Sequence, residues 1–553
     1  MRPFLGEKVH YLPGARRVAG FLLFGLLAGC GGGGGGEDDA PVQISIHEIT
    51  FNASSPSAAT PASQTFTATF GKDVVQLSVV HSGNAIASTT SVLNGRTAQI
   101  TVVPASPGDV GPGTFQGAVA VTGYTCSDAT CSRMAAGSSA TVLASYQVSP
   151  MIQSVSPYVT PSGVSDTVIV RGAGFQSFSG TSVRFGDTAA TAVGISSSGT
   201  ELAATYPALA AGNYTVRLSA TNHIGEIPSN VTLHVVDPVA FAATTLDHPA
   251  STTGLRRLVY DYERQALLSV TDTSPSNPIV RYQYANGAWN APTQVANGFL
   301  DAALSADGTQ LLAITGSAVV HVDPVTLAPG TAVAVPSLAT NSALKNIVVG
   351  YDNVALITTS LTTSGSTQGY LYSPATATIA LNGSALNNAT PAMAGNGIAA
   401  VVVQGDPTLT SDVASYVYSS ASHTYTSSNP ATPTLRQNTV APAVNRSFTR
   451  VVLNGTKVYD GSFALLGTLP TTTTAVAIKS DGSRAYAYDP TAGGILVYDI
   501  SVDRDEAAYT ALGPVTPLPA DPGSGVQMIV TPDGGTLFVG GSLRIVVQPT
   551  PAL

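Results

Sequence analysis

The chain has 553 residues, of which 10% are charged and 44% hydrophobic, with a formal net charge of −9. That hydrophobic content excludes ordinary disorder. The 23 basic residues are scattered through an acidic chain and supply no cationic stripe for phosphates, which excludes a nucleic-acid partner. With 55 Gly and 36 Pro beside abundant Val and Thr, the composition points to an all-β protein rich in turns.

Residues 1–29 read as a targeting segment outside the fold. Arg16 and Arg17 precede an apolar stretch over residues 18–29. Twelve residues make a helix about 18 Å long, short of a ~30 Å hydrocarbon core. The stretch ends in Leu27-Ala28-Gly29-Cys30, which resembles the lipobox of bacterial lipoproteins. The resemblance implies cleavage before Cys30, a diacylglycerol thioether on its sulfur and acylation of its new amine. The membrane is then a partner through an N-terminal lipid anchor. An unbroken glycine run follows over residues 31–36, then Glu37, Asp38 and Asp39, so residues 30–40 form a flexible, anionic tether. Gly31 stands where some lipoproteins carry an inner-membrane retention aspartate. The resemblance therefore implies an outer-membrane lipoprotein of a bacterial cell envelope, facing the periplasm or exposed at the surface. Without residues 1–29 the chain has 19 basic and 31 acidic residues.

Of the three cysteines, Cys126 and Cys131 remain. In an oxidising compartment a disulfide closing this short loop is expected, worth about 2 kcal/mol in the chain-entropy model. The spacing is not that of a redox Cys-x-x-Cys motif.

Residues 41–148 predict a first β-sandwich, with alternation at Ile44 and Ile46, at Ala98, Ile100 and Val102, and at Val119 and Val121. This stretch resembles immunoglobulin-like modules of bacterial surface proteins. Residues 149–236 open on Ile152-Gln153-Ser154-Val155-Ser156-Pro157, continue through DTVIVRGAGF at 166–175 and Val183-Arg184-Phe185-Gly186, and reach Gly212-Asn213-Tyr214-Thr215-Val216-Arg217-Leu218. They resemble an IPT/TIG immunoglobulin-like domain over nearly their whole length. Tyr214, Val216 and Leu218 are expected on one face of a strand, and Gly172 and Gly174 at a bend between strands.

Residues 239–553 carry a weak repeat. Ser305-Ala306-Asp307-Gly308 recurs as Ser480-Asp481-Gly482 and as Pro532-Asp533-Gly534, each copy leading into an apolar strand. Asp-Gly is a strong hairpin signal because its glycine accepts positive φ. The pattern resembles YVTN/WD40-like β-propellers, and seven blades of about 45 residues suit the usual repeat length. Blades are expected to begin near Arg257, Phe299, Ala339, Leu386, Pro433, Thr472 and Gly523. The last has room for three strands, so a strand within 239–246 is expected to close the ring and remove an open sheet edge. The fold class is thus all-β, two immunoglobulin-like β-sandwiches followed by a seven-bladed β-propeller.

No catalytic, metal or cofactor site emerges. The eight histidines are dispersed without metal-ligand spacing, and His234 is expected on the outward side of its strand. There is no Gly-x-Ser-x-Gly elbow, and Gly395-Asn396-Gly397 is expected to be a turn rather than a dinucleotide loop. Asp503, Asp505 and Glu506 form the densest carboxylate group, read as a solvated loop. The binding candidates are aromatic: Tyr282 and Tyr284 share a strand face, Asn286-Gly287 turns the chain, and Trp289 follows. Such side chains stack on sugars, fill a protein hot spot or pack one blade on the next. The leading expectation is a non-catalytic envelope lipoprotein that uses its propeller to bind a protein or glycan. The alternative is a lactonase-like or glycan-cleaving propeller enzyme, and the side chains lining the central channel separate the two.

Overall fold

The computed structural model describes residues 41–552, apart from 57, 126–133, 176–179, 197–198, 220–225, 228, 274–275, 337, 339–340, 362–367, 387, 406–409, 420–423, 429–434, 437–439 and 471–472. Cys30, the targeting segment and the tether lie outside the described residues, as do Cys126 and Cys131. Both of these cysteines fall between two strands, Gly113–Tyr124 and Met134–Val148, that pair antiparallel up to Tyr124 and Met134.

The first sandwich packs two four-stranded sheets face to face. Alternation decides which side chains meet: Ile49, Phe51, Phe66, Ile100, Val102, Val119, Val121 and Tyr146 are each at most 1% exposed and form one core. The first strand, Gln43–Ile44, pairs in one sheet, while Glu48–Ala53 crosses to the other and runs parallel to the last strand, Met134–Val148. Only Ser149 and Pro150 separate this sandwich from the next.

The second sandwich, from Met151, also has two sheets. Val168, Val170, Phe185, Leu202, Tyr206 and Val216 fill its core. Val216 and Leu218 are buried while Arg217 stays half-buried on the other face, as period-two alternation requires. At Gly172 the pairing of Asp166–Ala173 with Met151–Ser156 shifts register. A Cβ there would overlap the Met151 carbonyl oxygen, so only glycine permits this bulge.

The remaining residues form seven antiparallel sheets. The first strands of the seven blades are Thr252–Asp261, Asp301–Leu304, Ser342–Val349, Thr390–Met393, Ala443–Val444, Ala475–Ile478 and Gln527–Val530. Each lies beside the first strand of the next blade, and the seventh lies beside the first, so they line a closed ring. Six of the starts fall within about five residues of expectation. The fifth blade begins at Ala443 rather than near Pro433. The last blade has three strands from the C-terminus, Gln527–Val530, Thr536–Gly540 and Arg544–Pro549, and a fourth from before the first blade, Thr244–Asp247, which pairs antiparallel with Arg544–Pro549. The ring is therefore closed by its N-terminal strand. Between blades the contacts are apolar: Leu344, Ile347 and Ile357 of blade 3 pack with Leu312, Ile314 and Val319 of blade 2.

Candidate functional site

In every blade the turn between the first and second strands holds one residue with positive φ: Gln265, Gly308, Asn353, Gly397, Phe448, Gly482 and Gly534. These seven turns lie on one face of the ring and are stitched to one another. Asn353 Nδ2 donates to Asp307 Oδ2 at 2.8 Å. The Tyr351 amide donates to the Gly397 carbonyl at 3.2 Å, the Asn396 amide to Arg446 at 3.0 Å, and the Arg446 amide to Ser480 at 3.3 Å. Ser480 Oγ then donates to the Pro532 carbonyl at 2.9 Å. The result is a hydrogen-bonded collar running from blade 2 to blade 7.

The second sandwich sits on this collar and touches the turns of five blades. His234 Nδ1 lies 3.0 Å from Glu263 Oε1 in blade 1. The Tyr158 ring covers Gly308 of blade 2. The buried Arg171 guanidinium lies over the Tyr351 ring of blade 3, while its Nε reaches Glu201 at 3.2 Å; burial pulls its pKa down, and its neighbours pull the other way. Ser156 Oγ donates to the Asn396 carbonyl of blade 4 at 2.8 Å. Arg446 of blade 5 pairs with Asp166 and donates through Nη2 to the Thr167 carbonyl at 3.1 Å. His234 is thus a contact between the sandwich and the propeller, where sequence alternation alone places it on an open surface.

Under this seat lies the central channel, a cavity of about 560 Å³. Ser156, Pro157, Tyr158 and Val159 close one end, the Ser156–Pro157 bond being cis. The walls come from the first strands of the blades and are mostly aliphatic, with Val259, Ala303, Leu304, Val348, Met393, Val444, Ala477 and Ile529 among them. Ala441 at the other end is exposed, so the channel reaches solvent there. Among the described residues that line it, none is Asp, Glu or His, and among all the described residues no three His, Cys, Asp or Glu side chains gather at metal distance.

Two arginines line the channel among the described residues, Arg446 in the TIG seat and Arg257 in the wall, and Arg257 too is engaged. Its Nε and Nη2 each lie 2.5 Å from a carboxylate oxygen of Asp301, which is 0% exposed. Asp301 also accepts from the Ile347 amide at 2.9 Å and from Asn346 Nδ2 at 3.1 Å. Burial depresses the Arg257 pKa, and Asp301 overcomes this and leaves it above its ordinary value. The pair joins the first strands of blades 1, 2 and 3.

The aromatic candidates lie elsewhere, at the joint between blade 1 and the closing strand. Tyr284 and Trp289 face one another across paired strands, with ring centroids 5.3 Å apart. Trp289 stacks on Phe241 at 5.1 Å and meets Phe538 edge-on at 5.9 Å. Tyr282 is 1% exposed, and its hydroxyl donates to the Asp247 carbonyl at 3.2 Å. All three residues pack blade 1 on blade 7, and all three also border a side cleft of about 610 Å³ between Thr244–Asp247 and residues 287–292. Gly395-Asn396-Gly397 forms the blade-4 turn. Asp503, Asp505 and Glu506 are exposed on a loop.

Sequence reasoning missed Arg171, Asp166, Arg446 and Glu263 as contacts, and Arg257 with Asp301 as a joint. A sparse charge complement held one signal: with charged residues so few, those inside strands that otherwise alternate apolar and polar, such as Arg171 and Arg257, are candidates for buried pairs.

These features define an all-β protein in which an immunoglobulin-like sandwich caps one face of a seven-bladed β-propeller. Residues 150–235 match the family model of the IPT/TIG domain, so the capping sandwich is a TIG domain. No curated protein matches the chain. Among solved structures it is similar to Kuenenia stuttgartiensis hydrazine synthase, at 10% identity and TM-score 0.41, covering 55% of this chain and 97% of that one. It is also similar to the Myceliophteria thermophila Cps50 (Swd1) β-propeller domain, at 10% identity and TM-score 0.38, covering 56% and 100%. A third is a protein of unknown function from Bacteroides thetaiotaomicron, at 12% identity and TM-score 0.32, covering 72% and 98%.

Proposed function

We propose that this chain is a membrane-anchored, extracytoplasmic lipoprotein that binds a partner through its propeller and carries out no chemistry on it. The observation that carries the binding reading is the channel wall. A hydrolytic site needs converging acids, bases or metal ligands, and the described lining is mainly aliphatic, with no Asp, Glu or His and with both its arginines paired to carboxylates. The TIG domain occupies the turn face, which leaves the opposite face and its channel mouth for a partner. The anchor reading rests on Leu27-Ala28-Gly29-Cys30 after the short apolar stretch, and on the glycine tether behind it. Outer-membrane sorting, with Gly31 after the anchor, belongs to the same proposal. So does a bridge between Cys126 and Cys131, five positions apart in the sequence and expected of an exported chain.

Radiolabelled palmitate incorporation tests the anchor, with Cys30→Ala as the control. Label on the native chain and none on the variant is expected; an unlabelled native chain overturns the anchor. Protease shaving of intact cells then distinguishes surface exposure from a periplasmic orientation.

A further inference from the structure

The channel is closed at one end, reaches solvent at the other and has walls made mainly of aliphatic side chains. Its volume of about 560 Å³ lies within the roughly 300–1,000 Å³ typical of small-molecule pockets. Five polar side chains of the lining are engaged by the protein, while the buried hydroxyls of Tyr158 and Tyr262 have no hydrogen-bond partner among the described residues. Arg257 holds Asp301, and Gln527 accepts from the Leu258 amide at 3.1 Å while donating to the Arg256 carbonyl at 2.6 Å. Ser305 Oγ donates to Asp307 at 2.7 Å and accepts from the Gln310 amide at 3.0 Å. Arg446 and Ser156 are taken up in the TIG seat. A sugar or peptide entering this space would lose its hydrogen bonds to water and find few in return. An alkyl chain loses none and gains about 0.8 kcal/mol for each methylene it buries. Cavity walls built from aliphatic side chains favour apolar molecules over ordered water.

We infer that the propeller channel is a binding site for a single aliphatic chain, which enters by the mouth beside Ala441 and directs its methyl end toward Pro157 and Tyr158. The TIG domain supplies the floor of this site, so a chain can enter but cannot thread through. The head group of the ligand stays at the open mouth. The chain's source is a free fatty alcohol, a fatty acid or a lysolipid tail. This inference rests on the reading that the propeller binds rather than catalyses.

The test uses the exported chain and decan-1-ol bearing a terminal trifluoromethyl group, followed by ¹⁹F NMR. Saturable binding is expected, with competition from unlabelled decanol. Decanoate and a ten-carbon lysophosphatidylcholine, added as competitors, distinguish the sources of the chain. Ala441→Trp narrows the mouth at an exposed position, and Leu304→Glu places a charge on a half-buried wall position; each is expected to weaken binding at least tenfold. Melting of unliganded Ala441→Trp should match the native chain, which separates blocked entry from misfolding. No saturable binding overturns the inference, and so does binding unchanged in both variants. Loss of binding in Trp289→Ala, with both channel variants binding normally, moves the ligand to the side cleft and also overturns it. Cleavage of ethyl decanoate by the native chain, with decanol still bound in the channel, overturns the non-catalytic reading and leaves the site standing.

Discussion

Tyr158 of the TIG domain covers Gly308 of the propeller so closely that a Cβ at position 308 would overlap the tyrosine ring. Gly308 also has φ of +68°, so two independent constraints fix the same residue. Gly308→Ala is expected to cost at least ~1–2 kcal/mol from the left-handed backbone alone. The overlap with Tyr158 adds to this and lifts the TIG domain. Gly493→Ala, also at positive φ but with nothing within 4 Å of a Cβ, isolates the backbone cost. Denaturant melts of both variants measure the difference; equal losses would remove Tyr158 from the account.

Asp301 is expected to matter more to stability than any surface charge. Asp301→Ala leaves Arg257 in the channel wall without its carboxylate and removes the acceptor for the Ile347 amide. Breaking such a buried pair costs about 3–5 kcal/mol. Arg257→Met with Asp301→Leu, which removes both charges, should recover much of the loss. Urea unfolding of the two variants decides whether the cost comes from an orphaned charge.

Acid is expected to loosen the collar. Burial would raise the Asp307 pKa, yet hydrogen bonds from Ser305, Thr309 and Asn353 hold it below the ordinary carboxylate value. Asp481 is likewise held low by Ser483 and Lys479 against its burial. A depressed folded-state pKa gives stability that is present above the unfolded value of about 4 and is lost as pH falls through the folded one. Melting temperature should therefore drop below about pH 4, and Asp307→Asn with Asp481→Asn should flatten that dependence. Both aspartates are exposed residues, so the change per site is modest.

Trp289→Ala separates packing from recognition at the side cleft. Trp289 stacks on Phe241 and meets Phe538, so truncation should destabilise by up to about 3 kcal/mol, while Trp289→Phe should keep most of the stack. A variant as stable as the native chain, yet altered in glycan-array binding, would assign Trp289 to a ligand instead.

The architecture was largely readable because alternation and turn chemistry are local. Three blades announce themselves by Asp-Gly at 307–308, 481–482 and 533–534, since glycine takes positive φ without strain. The equivalent turns elsewhere use Asn396-Gly397, Asp352-Asn353, Ser447-Phe448 and Arg264-Gln265. A Phe or Gln at positive φ has no sequence signature, and the fifth blade begins at Ala443, about ten residues beyond the expected Pro433. The site was harder to read. Arg446 and Asp166 are separated by 280 residues, and nothing in either neighbourhood names the other. The channel wall is assembled from all seven blades, so its aliphatic character emerges only once the ring is closed. Tyr282, Tyr284 and Trp289 were legible as a cluster, but their packing against Phe241 and Phe538 depends on the closing strand.

The most direct test of the account is the distance distribution between the TIG domain and the propeller in solution. Spin labels at Thr191 and Leu512, both exposed, would be measured by double electron–electron resonance in a chain whose native cysteines are replaced by serine. A single narrow distance, broadened by Arg446→Ala with Gly308→Ala, is predicted for a TIG domain seated on the turn collar and closing the channel. A broad distribution already in the starting chain would contradict the seat, the closed channel end and the assignment of the opposite face to binding.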